Sequence, residues 1–112
     1  MGSRLLFFRR KTGLTQSDVA EILGSIGARQ VSRHEGFQAT PSIFAAIAYQ
    51  VIFRADVSEL LPGLFEAVRD GVEQRLAEFE HKLQQSTAKG PEAENIARKL
   101  VWIEERRNQG MT

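Results

Sequence analysis

The sequence predicts an all-α protein built from five short helices followed by two longer amphipathic ones. Three observations carry this expectation. Apolar residues recur at three- and four-residue steps, most plainly at Phe65, Val68, Val72, Leu76, Phe79 and Leu83, and again at Ile96, Leu100 and Ile103. Residues that start helices stand where such segments open: Thr15 with Asp18 three places on, and Pro41 behind Thr40. Breakers close them at Gly13, Gly24, Pro62-Gly63 and Gly90-Pro91.

Ser3 can cap a first helix running to Thr12, with Leu5, Leu6 and Phe8 supplying apolar faces and Arg9, Arg10 and Lys11 making its end basic. Thr15 and Asp18 form a capping-box pattern and Gly24 is a stop, so Gln16 to Leu23 reads as a second helix. Val19, Ile22 and Leu23 share one side of it, and Ala20 allows a neighbour to approach closely. After the turn Ser25-Ile26-Gly27, the segment Ala28 to Glu35 is helical in composition but only Val31 is strongly apolar. Val31 therefore anchors one side, while Arg29, Gln30, Ser32 and Arg33 point outward and His34 reads as an exposed member of the same helix. Arg and Gln make bidentate contacts to guanine and adenine edges, which suits a helix laid in a major groove.

Thr40-Pro41 opens a fourth helix that runs through Phe53, with Ile43, Phe44, Ile47, Val51 and the intervening alanines expected to make it the central core helix. Asp56 or Ser58 caps a short fifth helix. A boundary is expected near Pro62, because the residue before a proline is pushed out of the helical region. Leu64 to Gln85 then forms one amphipathic helix, weakened at Gly71, and Lys89-Gly90-Pro91 breaks the chain before a last helix from Glu92 to Arg107. Val101 and Trp102 lie off the stripe of that helix, and the tail Asn108 to Thr112 is expected to fray.

The run GLTQSDVAEILG, then QVSRHE, then Pro41-Ser42, is similar to the phage-repressor-like (XRE) helix-turn-helix family, whose pattern is roughly GLTQxxLAxxLG, a few residues, (I/V)SRxE and PS. The resemblance covers about the first 60 residues and includes VIFRADVSELLP, which looks like the family's last helix pair. It implies a five-helix repressor-like helix-turn-helix domain whose third helix reads DNA. By family position and donor chemistry, Arg29, Gln30 and Arg33 approach base edges, Ala28 touches a thymine methyl or the sugar backbone, and Gln16, Ser17 and Ser32 fix the helix against phosphates. It also implies a structural ion pair between Arg9 and Glu35. Two departures stand out. One residue more than the commonest spacing separates Gly24 from Val31, which lengthens the turn and leaves Gly27 as a weak cap, and the loop from Gly36 to Thr40 lacks the family's cation and has its glycine one place early.

Composition bounds the remaining functions. With 112 residues, 42% hydrophobic and 26% charged, the chain is one small globular domain with a short additional module. The absence of cysteine excludes disulfides and thiolate metal sites and fits a reducing compartment. No apolar run is long enough to span a bilayer, and the start Met1-Gly2-Ser3-Arg4 does not read as a secretory leader, so a cytoplasmic location is expected. His34 and His81 are far apart in sequence and have no cysteine or carboxylate at ligand spacing, so no catalytic residue, metal or cofactor is expected.

Charge is unevenly spread. Residues 1 to 54 carry seven Lys or Arg against three acids, net +4, and residues 55 to 112 carry eight against eleven, net −3, which together give the formal +1. A basic front suits double-stranded DNA and an acidic back suits self-association. The expected organisation is therefore a DNA-binding domain over residues 1–63 and a dimerisation region over residues 64–112. The corresponding function is a homodimeric transcriptional regulator on a near-palindromic operator. Two alternatives stay open: a protein-interaction adaptor or antitoxin-like partner that uses the C-terminal helices, and a hairpin of those helices folded back on its own domain.

Overall fold

The chain is all-helical among the described residues. The structure, a computed structural model, describes residues 3–110. Seven helices follow in order: α1 Leu5–Thr12, α2 Gln16–Leu23, α3 Ala28–Glu35, α4 Ile43–Phe53, α5 Val57–Leu60, α6 Pro62–Gln84 and α7 Pro91–Gln109. They form two compact units that divide between Arg69 and Asp70, inside α6.

Local chemistry accounts for most boundaries. Thr15 Oγ1 accepts from the Asp18 backbone N–H at 3.0 Å and the Thr15 N–H donates to Asp18 Oδ2 at 2.9 Å, so the expected capping box closes α2 at its start. Gly24, at φ +81°, ends it in the left-handed conformation. Ser3 does not occupy the N-cap of α1, which is Arg4, but its hydroxyl still accepts from the Leu5 N–H at 3.2 Å. The fourth helix starts later than Thr40-Pro41 suggests. Ser42 is its N-cap and accepts from the Ala45 N–H at 3.1 Å, so the hydroxyl rather than the proline sets the start. Asp56, one of the two expected residues, occupies the N-cap of α5, but its side chain makes no capping hydrogen bond. Instead Gln50 Oε1, from α4, accepts from the Val57 N–H at 3.1 Å. The helix expected from Leu64 begins at Pro62, a residue suited to a first helical position. The last helix extends from Pro91 through Gln109, so Asn108 and Gln109 are helical, while Met111 and Thr112 of the expected frayed tail, like Met1 and Gly2, lie outside the described residues.

The first unit surrounds a core of Leu5, Val19, Leu23, Val31, Tyr49, Leu60 and Leu61, with Ala20, Ala45 and Ala55 where helices approach closely. The Arg4 N–H donates to the Leu60 carbonyl at 2.8 Å, which ties the start of α1 to the end of α5. Of the core residues expected on α4, the four large side chains are overturned and Ala45 is buried as expected. Ile43, Phe44, Ile47 and Val51 are exposed, with 81% of Ile43 and 72% of Val51 open to solvent, and Tyr49 is buried beside Ala45 instead. A helix with large apolar residues on nearly every side offers periodicity no face to select, and the inward choice went to the side whose tyrosine hydroxyl finds a polar partner. Ile22 on α2 is likewise exposed rather than grouped inward with Val19 and Leu23.

In the second unit Ile103 of α7 is buried, and Leu76, Leu83, Ile96 and Leu100 are half-buried. Arg106 Nη2 donates to Glu73 Oε1 at 2.6 Å and Arg107 Nη2 to Glu80 Oε1 at 2.7 Å, which pins α7 to the second half of α6. Val72 and Phe79 on α6, and Val101 and Trp102 on α7, stay exposed, as does Val68 on the part of α6 that belongs to the first unit.

Candidate nucleic-acid interface

Helix α3 is polar on one side and locked on the other. Val31 and His34 are its buried residues; Arg29, Ser32 and Arg33 are exposed. These three stand at i, i+3 and i+4, which places them on neighbouring positions of one helical surface. Eight residues make a helix about 12 Å long, so the surface is short and compact. Among the contacts between helices, those of α2 with α3 are the most extensive, so α3 is held principally by α2.

The turn ahead of α3 explains how the longer spacing is accommodated. Gly24 takes the left-handed turn, Ile26 packs half-buried against the core, and Gly27 is extended at φ −94°, ψ 172° as the N-cap. Glycine has no side chain to cap with, so the first N–H groups of α3 receive no side-chain acceptor from it. At the other end the left-handed position falls on Phe37, at φ 54°, while Gly36 stays at φ −85°. The glycine that stands one place early is therefore not the residue that turns the chain, and Phe37 is held there by packing against the core.

His34 corrects the sequence expectation. It is 2% exposed rather than a surface residue, and its Nδ1 lies 2.8 Å from the Tyr49 hydroxyl of α4 in a buried hydrogen bond. Burial, and secondarily the charge of Arg33, hold its imidazole below the ordinary histidine range, while burial pushes the Tyr49 hydroxyl up. The pair satisfies two polar groups inside the core and joins the inner face of α3 to α4.

A second polar connection forms at the C-terminal end of α3. Arg9 Nε donates to Glu35 Oε2 at 2.5 Å and Arg9 Nη2 to Glu35 Oε1 at 3.2 Å, the pairing that the family resemblance implies. Gln16 Nε2 also donates to Glu35 Oε1, at 3.0 Å, and Arg9 Nη1 donates to the Leu14 carbonyl at 3.0 Å. Both partners are largely withdrawn from water, with 15% of the Arg9 side chain and 6% of the Glu35 side chain exposed.

The seven residues singled out from the sequence thus fall into two groups. Ser17, Arg29, Ser32 and Arg33 are exposed. Gln16 is engaged with Glu35, Gln30 Nε2 lies 3.4 Å from His34 Nε2, and Ala28 packs half-buried against the core. Cations outside α3 are also partly engaged: Arg4 and Lys11 lie 4.7 and 4.9 Å from the centre of the Phe7 ring, while Arg10 is exposed on the same helix. Among the described residues no group of histidine, cysteine, aspartate or glutamate could hold a metal ion, and no helix is long and apolar enough to cross a membrane. Compared with protein-family models, curated proteins and solved structures, the chain matches none.

Proposed function

We propose that the chain is a sequence-specific double-stranded DNA-binding transcriptional regulator whose first five helices are a repressor-like helix-turn-helix domain, with α3 as the recognition helix. The observation that carries this reading is the division of α3: an exposed face of Arg29, Ser32 and Arg33 backed by the buried Val31 and by the His34–Tyr49 hydrogen bond. A rigidly backed, short helix with two outward arginines can present bidentate donors to guanine O6 and N7. Gln16 and Gln30 would have to leave their intramolecular partners to reach a phosphate or an adenine, so the arginines carry more of the base reading than the glutamines.

One such helix covers a single half-site. Homodimerisation through α6 and α7, with the exposed Val72, Phe79 and Val101 meeting their copies, supplies two recognition helices about 34 Å apart on a near-palindromic operator. The same exposed side chains favour the second reading, a protein-interaction adaptor or antitoxin-like protein that uses α6 and α7 to hold a different chain. Selection of binding sites from random duplex DNA separates the two. The regulator reading expects enrichment of one motif with inverted half-sites, and recovery of unenriched sequence would leave the adaptor.

A further inference from the structure

The sequence of α4, IFAAIAYQVIF, contains no ionisable group other than the buried Tyr49, and its one other polar side chain, the half-buried Gln50, is engaged with the Val57 N–H at 3.1 Å. Its inner side is used by the core of the first unit. Its outer side is not: Ile43, Phe44, Ile47 and Val51 are between 55% and 81% exposed, and Ile22 of α2 beside them is 56% exposed. Between α2 and α4 lies an open groove of about 340 Å³, with Ile22 on one wall and Phe44, Ile47 and Val51 on the other. A contiguous exposed apolar patch of this kind normally marks a surface that a partner covers.

We infer that a second copy of this chain covers it, the outer face of α4 pairing with its own counterpart across a two-fold axis. Three features favour a copy over an unrelated partner. A side chain lying close to a two-fold axis meets its own copy, so a charge near the axis would face a like charge. The outer face has none. Ile43, Ile47 and Val51 stand at i, i+4 and i+8, a single ridge, and identical ridges of this type interdigitate at a crossing angle of about −50°. The five exposed residues leave roughly 600 Å² of surface per copy, so a pair that covered them completely would bury up to about 1,200 Å², the lower end of what stable interfaces need. This contact is distinct from the pairing of α6 and α7 proposed above and stands without it.

The test uses the full chain carrying Phe79→Glu, which places a charge in the proposed α6–α7 contact. Sedimentation equilibrium should still show reversible self-association, and adding Ile47→Glu should raise the dissociation constant at least tenfold while circular dichroism shows an unchanged helical fold, since Ile47 is exposed within its own chain. The absence of cysteine provides a second readout. Ile47→Cys should form a disulfide-linked dimer on mild oxidation, and Thr87→Cys, in the exposed loop between α6 and α7, should not. Overturning results are a Phe79→Glu chain that is monomeric at all concentrations, an Ile47→Glu substitution without effect on association, or an Ile47→Cys chain that neither cross-links nor reacts with a thiol reagent because its own fold covers the new thiol. A dimer unaffected by Phe79→Glu but broken by Ile47→Glu would refute the α6–α7 pairing and support this one.

Discussion

His34 and Glu35 are adjacent in sequence and serve α3 in different ways. His34 is buried as a neutral group, so the unfolded chain binds a proton more readily than the folded one. Its contribution to stability is fully present above the ordinary value of 6.5 and is lost as pH falls below that toward the depressed folded value. Thermal unfolding followed from pH 7 down to pH 5 should show a loss of stability that His34→Gln reduces, and an identical pH slope in the variant would remove the assignment. Glu35 is different, because it holds Arg9 and Gln16 at once. Glu35→Ala strands the nearly buried guanidinium and should cost about 3 to 5 kcal/mol in urea unfolding. On the outer face, Arg29→Ala or Arg33→Ala should leave stability almost unchanged and weaken operator affinity by about 1 to 3 kcal/mol, with relaxed preference at one base position in anisotropy titrations.

At the scale of elements, glycine positions give opposite expectations. Gly24 ends α2 at φ +81° in open space, so Gly24→Ala meets no atom but is forced into a left-handed backbone and should destabilise by about 1 to 2 kcal/mol. Gly71 lies inside α6, where an added Cβ would come within 3.3 Å of the far end of the Arg75 side chain. That end can swing aside, so Gly71→Ala should stabilise the helix by up to about 1 kcal/mol. Denaturant midpoints for the two variants should move in opposite directions.

The same scale shows what the sequence makes legible. The residue range of α2 can be read because its start and stop depend on Thr15, Asp18 and Gly24 alone, and that of α3 because Gly27 and the polar composition bound it. The inward face of α4 cannot, since Ile43, Phe44, Ile47 and Val51 are as apolar as any core residue and only the position of His34 across the fold selects Tyr49. His34 itself was hidden for the converse reason: its burial depends on a hydroxyl fifteen residues away. Of the candidate site, the outward set Arg29, Ser32 and Arg33 follows from helical spacing, whereas the engagement of Gln16 and Gln30 depends on neighbours brought in by tertiary packing.

For the whole molecule, charge distribution sets the expected salt response. Each phosphate neutralised contributes roughly −0.9 to the slope of log affinity against log salt. Arg9 is committed to Glu35, and the loop from Phe37 to Thr40 carries no charge, so with Arg29 and Arg33 assigned to base edges the exposed Arg4, Arg10 and Lys11 are the phosphate candidates, and the slope per chain should be no steeper than roughly −3. A flat response would point to the adaptor reading. The meeting of Arg9, Gln16 and Glu35 has a further consequence. It joins the end of α1, the start of α2 and the end of α3 at a single carboxylate, so loss of that one group removes the polar attachment of α3 to both other helices at once. Amide hydrogen exchange should therefore show α1, α2 and α3 opening together with one common protection, and Glu35→Ala should divide that single unit into segments that exchange at separate rates.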